Sequence, residues 1–310
     1  MMLESYLQEL VQLNTTPKHA QLVNLSGLTN EELDAFVRWW PSVPVERRRL
    51  ITEWLVSVAE DNVDLDFNAI FKRSLEDPDA QVREKAVTGL WECDDRSVVG
   101  PLMKLLKSDP SEQVRAAAAM ALGKFSVMSE TGKLLPRDGE RIKELLLAVV
   151  DNPTESIDVR RRSLESAACY NTPRIKDLIK WAYNSSDPKL RLSSLYAMGR
   201  TCDPAWLATL VNESKSADIA MRFEAANAFA EIGEEEAIPY IIPLLQDEDS
   251  QVQLAAVHAL GAIGGPLAER ALRRCLKHPD EALQDAAKDS LEQMEAEGDP
   301  LAFKFLHRPT

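Results

Sequence analysis

Long apolar runs, a basic leader and an excess of positive charge are all missing from this sequence. Apolar runs such as Leu145 to Val150 are far too short to cross a bilayer. The first residues, Met1 to Tyr6, lack the basic and then apolar layout of a secretion signal. We therefore expect a cytoplasmic protein that does not bind membranes.

Cysteines are few and scattered, at positions 93, 169, 202 and 275. No two of them have the spacing of a metal clip or of a close disulfide framework. We expect them to be reduced and mostly buried, where cysteine behaves as a small apolar residue.

The sequence has few histidines, and none of them occurs in a catalytic or metal-binding pattern. The four are His19, His258, His278 and His307. They form no helical ligand pair, and none is grouped with a serine and a carboxylate as in a catalytic triad. A glycine-rich phosphate loop is also missing, since Gly264 and Gly265 precede a proline, which indicates a turn between helices. We expect no catalytic residues, no metal and no cofactor.

Acidic residues outnumber basic ones, with 50 Asp and Glu against 36 Lys and Arg and a net charge of −14. Such a charge repels phosphate backbones and anionic surfaces at long range. A nucleic acid is therefore a poor default partner.

A short pattern that recurs at a fixed period organises most of the chain. Its anchor is an Arg or Gln that follows a branched apolar residue or Met and precedes a small residue three places on. The anchors are Arg83, Arg115, Arg160, Arg191, Arg222, Gln253 and Gln284. Successive anchors are 31 or 32 residues apart, except for one step of 45, and such a period is typical of a solenoid of stacked helix pairs.

The residue types around each anchor fit a helix that packs closely on its neighbours. Positions three and six after the anchor hold only Ala, Ser or Gly, and position seven holds mostly larger apolar residues. On a helix these positions share one broad face with the anchor. An Asp or Ser four before most anchors predicts a helix N-cap. We further expect these acids and the anchor arginines to form a ladder between repeats.

The pattern resembles HEAT repeats, most clearly at Val114 to Gly123 and Val252 to Gly261. Its short period is similar to the HEAT-like repeats of phycobilisome lyases. The resemblance implies an all-α, right-handed α-solenoid of about seven to eight two-helix repeats with helical end caps. It also implies that the anchor-bearing helices are the inner ones and line a concave surface.

Three regions follow from this interpretation. Residues 1–40 form an N-terminal helical cap and the first outer helix, and residues 41–295 form the repeat array. The step of 45 residues places an inserted loop near 126–139, where turn-forming residues are frequent. Residues 296–310 form a C-terminal tail, in which Phe303, Phe305 and Leu306 are expected to fold back onto the last repeat.

Positions one and five after each anchor point away from the buried face, so they form the ridge of the concave surface. In three adjacent central repeats this ridge is apolar or aromatic, as expected of a protein or peptide groove. The candidate binding residues are Leu192, Tyr196, Phe223, Asn227, Leu254, His258, Met120 and Arg161. The competing interpretation is that curvature or the inserted loop buries these side chains within the chain.

The function expected from these features is that of a non-enzymatic, monomeric scaffold or adaptor that binds a protein or peptide. Two enzymatic alternatives remain, a HEAT-like DNA glycosylase and a bilin lyase. The first is favoured by a local excess of nine basic over four acidic residues between positions 156 and 200. A HEAT-like deoxyhypusine hydroxylase is disfavoured, because the resemblance implies His-Glu pairs for iron and this sequence has none.

Overall fold

The computed structural model describes residues 6, 7, 10, 11 and 22–298, and the described residues form helices joined by turns and loops, without a β-strand. They divide into two compact units, Met1–Ser166 and Ala167–Thr310. Consecutive helices form seven pairs, preceded by one degenerate pair. The predicted all-α repeat fold is confirmed.

Unit 1 contains short and long helices in alternation with tight turns. These are α1 (Asn30–Trp39), α2 (Val45–Asp61), α3 (Asn68–Ser74), α4 (Ala80–Gly89), α5 (Val99–Ser108), α6 (Glu112–Glu130), α7 (Pro136–Asp151) and α8 (Ile157–Ala167), whose last residue belongs to unit 2. Helix α4 packs on both α2 and α6. The second helices α2, α4 and α6 therefore form a stack within this unit.

Unit 2 has the same construction. Its helices are α9 (Pro173–Tyr183), α10 (Pro188–Arg200), α11 (Leu207–Glu213), α12 (Ile219–Ile232), α13 (Ile238–Ile241), α14 (Ser250–Ile263), α15 (Gly265–Cys275) and α16 (Glu281–Gly298). The anchor-bearing helices α10, α12, α14 and α16 pack on one another in sequence. Each also packs on the helix that precedes it in the chain.

Small residues allow this close stacking. A Cβ atom at Gly199 of α10 would lie only 2.8 Å from the Cα of Ala228 on α12. Ala225 and Ala256, three residues after their anchors, are fully buried. The small residues three and six places after the anchors therefore form contact surfaces between successive helices. A larger side chain there would push the backbones apart.

The predicted N-caps are confirmed. The side chain four residues before the anchor accepts a hydrogen bond from a backbone amide of the first helical turn. This holds for Asp79, Ser111, Asp187, Asp218, Asp249 and Asp280. Each satisfies an amide that the helix itself leaves without a partner.

The ladder between repeats exists, but the anchors Arg83 and Arg222 pair with an acid two residues before the N-cap, so the predicted partners are wrong at these two joints. Arg83 donates from Nε and Nη2 to Asp109, and Arg222 donates in the same two-pronged way to Asp247, each bond between 2.7 and 2.8 Å long. Asp109 and Asp247 lie six residues before the following anchor. Each of these carboxylates also accepts a backbone N–H from the residue two places on, so it braces its own turn while it pairs with the guanidinium.

The degenerate first pair has a similar ion pair with the repeat that follows it. Arg48 forms an ion pair with Asp77, with Nε and Oδ2 3.0 Å apart. Arg47 instead donates to the carbonyl oxygen of Leu10 and lies over the ring of Trp54.

The inserted loop predicted near 126–139 is wrong. Helix α6 continues to Glu130, α7 begins at Pro136, and only five residues separate them. The extra residues therefore lengthen two helices. The turn-forming residues are accommodated because the hydroxyl of Ser126 donates to the carbonyl of Leu122 within α6. Gly139 lies against Ser129, where a Cβ atom would have no room.

At the N-terminal side, the predicted cap is partly described. Leu7 and Leu10 are buried, and Thr29 forms a capping box with Glu32 at the start of α1. The indole nitrogen of Trp40 donates to Asp77 at 2.7 Å, so this ring is part of the packing. His19, His307 and the tail residues Phe303, Phe305 and Leu306 lie outside the described residues.

Candidate functional site

The six predicted ridge positions of unit 2 are all at least partly accessible. Tyr196 and His258 are exposed, and the side chains at the other four positions are half-buried. The four are Leu192, Phe223, Asn227 and Leu254. Curvature therefore does not bury this face within unit 2, as the competing interpretation required.

A groove of about 570 Å³ runs across the anchor-bearing helices α10, α12 and α14. We call it the unit 2 groove. It is lined by Tyr196, Gly199, Arg200, Glu224, Asn227, Ala228, Ala230, Glu231 and Ala262. Of the predicted residues, Tyr196 and Asn227 line it. Leu192, Phe223, Leu254 and His258 do not.

The sequence prediction missed the residues nine after the anchors, which are Arg200, Glu231 and Ala262. Helices α10, α12 and α14 extend to the ninth residue after the anchor or beyond it. Positions five and nine are four residues apart and so share one helix face. The helical period that places position five on the ridge therefore also places position nine there, and this signal is present in the sequence.

Small side chains give the groove its depth. Ala228, Ala230 and Ala262 leave space between the helices, and the contact of Gly199 with Ala228 draws α10 and α12 together. The ring of Tyr196 rises beside them with 42% of the side chain exposed. The result is a shallow concavity with an aromatic wall, and not an enclosed cavity.

One ion pair crosses the groove. Nη1 of Arg200 donates to Oε2 of Glu231 at 3.0 Å, which links α10 to α12. Burial is the largest single influence and lowers the pKa of Arg200, but the charge and hydrogen bond of Glu231, together with Tyr196 and Cys169, outweigh it, so that the pKa is raised. The positive charge of the groove is thus already matched by a carboxylate.

The chain around the groove is strongly acidic. Residues 201–264 contain eleven Asp and Glu against two basic residues, Lys215 and Arg222. Arg222 is held by Asp247, and the ammonium group of Lys215 lies 5.8 Å from the ring centre of Tyr240. This part of unit 2 therefore presents a negative surface.

The remaining two predicted residues lie in unit 1. Met120 is half exposed on α6. Arg161 is held on its own helix by Asp158, with Nε 2.7 Å from Oδ1, and by Glu165. Neither Met120 nor Arg161 is among the residues that line the unit 2 groove.

The basic cluster between 156 and 200 is largely neutralised by neighbouring carboxylates. Six of its nine basic residues form ion pairs within their own unit. They are Arg161, Arg162, Lys176, Lys180, Arg191 and Arg200. A track of free cations for a phosphate backbone is therefore not present at these six positions.

The four cysteines are free thiols, as expected, but they differ in accessibility. Cys93 and Cys275 are buried, Cys169 is half-buried, and Cys202 is exposed. Burial raises the pKa of the Cys275 thiol. Cys202 follows the end of α10, where the chain turns back toward the next helix.

Within the described part of the chain, no three His, Cys, Asp or Glu side chains are grouped as metal ligands would be. None of the helices described there combines the length and the apolar character that a membrane-spanning segment requires.

Comparisons with known proteins agree with the repeat pattern. A family model described as HEAT repeats matches residues 68–153 and 207–292. A comparison with curated proteins finds no match.

Solved structures with a similar fold share little sequence identity with the chain. The complex of CpcE and CpcF of phycocyanin lyase from Nostoc sp. PCC7120 is 17% identical, with 91% of this chain and 97% of that chain covered and a TM-score of 0.55. Importin beta in an ammonium sulfate condition is 15% identical over 95% of this chain and 44% of that chain, with a TM-score of 0.49. Human deoxyhypusine hydroxylase in complex with glycerol is 17% identical over 86% and 96%, with a TM-score of 0.37. At such identities, the similarity to the lyase complex shows the fold alone.

Proposed function

Because the chain belongs to the HEAT-repeat family, we propose that it is a non-enzymatic scaffold that binds a polypeptide partner in the unit 2 groove. The observation that carries this proposal is the groove itself, into which the exposed Tyr196 and the half-buried Asn227 project from successive helices. An aromatic ring and an amide on rigid helices suit recognition of a polypeptide. The ring supplies contact area, and the amide pairs with a peptide group.

The chemistry of the groove supports binding over catalysis. Its lining offers a phenol, an amide, the carboxylate of Glu224 and the Arg200–Glu231 ion pair, set among alanines and a glycine. These lining residues include no Ser, Cys, Thr or Lys nucleophile and no histidine base. Its volume falls within the range of ligand sites, and its open form admits several side chains of a chain that passes through.

A peptide library tests the proposal. Twelve-residue random peptides displayed on phage are selected on the full-length protein, and the winners are measured by fluorescence anisotropy. We expect Tyr196→Ala or Asn227→Ala to weaken their binding at least tenfold, because a central contact residue costs about 1.4 kcal/mol or more when truncated.

Tyr240→Ala is the matched control, since Tyr240 is also 42% exposed but does not line the groove. It should leave the affinity of the selected peptides unchanged. All three variants should have the melting temperature of the parent. Peptides that bind the parent and both groove variants equally well would refute the proposal.

A further inference from the structure

The chemistry of the unit 2 groove also indicates which kind of polypeptide it accepts. Among the lining residues, Glu224 and Glu231 are negative and Arg200 alone is positive. Arg200 is already paired with Glu231. A ligand that enters this groove therefore meets net negative charge at contact distance.

Helix polarity adds to this field. Gly199 and Arg200 end α10, Ala230 and Glu231 lie in the last turn of α12, and Ala262 lies in the last turn of α14. The final carbonyls of each helix have no partner within the helix, and they give its C-terminus a partial negative charge. Three such ends meet at one side of the groove, and all three favour a cation.

An acidic rim continues from the groove. Glu234, Glu235 and Glu236 follow directly after α12, and the latter two are exposed. The carboxylate of Glu235 lies near the start of α15, where Oε1 is 3.3 Å from the position of a Cβ on Gly265. Among the described residues, no Lys or Arg forms an ion pair with these three carboxylates.

We infer that the unit 2 groove binds a basic segment of a partner polypeptide, with one Lys or Arg side chain beside Tyr196 and Glu224 and further cations along Glu231 to Glu236. This inference rests on the proposed function. The ring face of Tyr196 attracts a cation, and the carboxylates supply the charge that the partner neutralises. A basic segment also gains from the charge of the surrounding repeats, which steers it toward the groove.

Three fluorescein-labelled peptides of twelve residues provide the direct test. They share a Gly-Ser-Leu framework and carry four Lys, four Gln or four Glu at the same positions. We expect the Lys peptide to bind the full-length protein at least tenfold more tightly than the Gln peptide at 50 mM salt. Its affinity should fall steeply toward 500 mM salt, because exposed charges are screened. Equal affinities for the Lys and Gln peptides would overturn the inference.

The ion pair across the groove allows two variants with opposite expected effects. Glu231→Gln removes a carboxylate and leaves Arg200 to repel the ligand, so the Lys peptide should bind roughly fivefold more weakly. Arg200→Gln leaves Glu231 free for the ligand, so the same peptide should bind roughly fivefold more tightly. Structural damage would weaken binding in both variants, and that result would also overturn the inference.

Glu281→Gln is the control for net charge, since Glu281 lies in the first turn of α16 and does not line the groove. It should change the affinity less than twofold. A loss equal to that of Glu231→Gln would show that the Lys peptide responds only to total charge, and the groove would no longer be its site.

The library selection separates failure of this inference from failure of the proposed function. If selected peptides depend on Tyr196 but contain no excess of Lys and Arg, the proposed function is supported and the inference of a basic partner is refuted. If no selected peptide depends on Tyr196, both the proposed function and this inference are refuted.

Two other occupants of the groove are tested alongside, a synthetic peptide of residues 299–310 and a second copy of the chain. If the 299–310 peptide binds more tightly than the Lys peptide, the occupant of the groove is this segment and not a partner. If the protein self-associates in sedimentation and Glu231→Gln abolishes this, the occupant is a second copy of the chain.

Discussion

At the scale of single residues, the position eleven after the first three anchors of unit 2 has a positive φ. Cys202, Gly233 and Gly264 occupy it with φ of 50°, 74° and 72°, and each comes directly after an anchor-bearing helix or one residue later. Glycine adopts this left-handed conformation readily, whereas a residue with a Cβ is strained there by about 1–2 kcal/mol. Cys202 is therefore the strained one of these three residues, because the other two are glycines.

Replacing that cysteine with glycine should stabilise the protein. Cys202→Gly removes the backbone strain, and the extra freedom of glycine in the unfolded chain offsets part of the gain. We expect the free energy of unfolding to rise by about 1 kcal/mol, measured by urea denaturation.

Cys202→Ala is the control, because alanine also lacks the thiol but retains a Cβ atom. It should give no comparable increase. Equal stabilisation by alanine and glycine would show that the thiol, and not the backbone angle, is the unfavourable feature.

At the scale of elements, two joints between successive repeats, at Arg83 and at Arg222, consist of an anchor and an acid twenty-five or twenty-six residues later. Arg222 donates to both carboxylate oxygens of Asp247 and also to the carbonyl oxygen of Ser216. Gln253 keeps only the second kind of bond, to the carbonyl oxygen of Asp247 at 2.6 Å. At the acid position of its own joint the chain has His278. The arginine anchors Arg83 and Arg222 thus have an acid at this position, and the glutamine anchor Gln253 has none.

Replacing the arginine of one joint with glutamine, the anchor found at position 253, should reduce the stability of the protein measurably. Arg222→Gln should lower the free energy of unfolding by about 3 kcal/mol near neutral pH, because it leaves the largely buried carboxylate of Asp247 without its cation. The double variant Arg222→Gln with Asp247→Asn should recover part of this loss, since no charge then remains buried. A double variant as unstable as the single one would mean that the pairing itself is not what Arg222 contributes.

The same joint makes stability depend on acid. The hydrogen bonds from Arg222 hold the pKa of Asp247 below its ordinary value near 4. A carboxyl group with a lowered pKa contributes stability that is fully present above its unfolded pKa and is lost as the pH falls through its folded pKa. Unfolding curves between pH 7 and pH 2 should therefore show a smaller acid loss in Arg222→Gln than in the parent. An unchanged slope would contradict this assignment.

At the scale of the whole molecule, the sequence predicted the repeated fold well and the site only in part. The period, the N-caps and the small columns were readable because every repeat meets the same packing requirement at the same position. The region near 126–139 was predicted wrongly as a loop, because serine and glycine are frequent in turns. Here the contacts of α6 and α7 accommodate Ser126 and Gly139 within helices. The groove was found at Tyr196 and Asn227 but missed at Arg200 and Glu231.

The charge of the molecule predicts that duplex DNA is not a ligand. We expect no binding of a labelled 20-base-pair duplex at 100 mM salt, because the net charge of −14 opposes it and the arginines of the 156–200 cluster are engaged. Fluorescence anisotropy gives the measurement, and a known basic DNA-binding protein serves as the positive control. Binding that falls with increasing salt would restore the glycosylase alternative.

The glutamine anchors of unit 2 have a further consequence for how the repeats separate. The joint at Arg222 contains a carboxylate that acid can protonate, whereas the bonds of Gln253 and Gln284 reach only backbone carbonyls. Acid therefore weakens the joint at Arg222 in α12. It breaks no ion pair at the joints of Gln253 and Gln284, because these glutamines form none. Amide hydrogens beside Arg222 should begin to exchange at a higher pH than those beside Gln253 and Gln284, so that acidity, and not distance from the chain end, sets the order of opening.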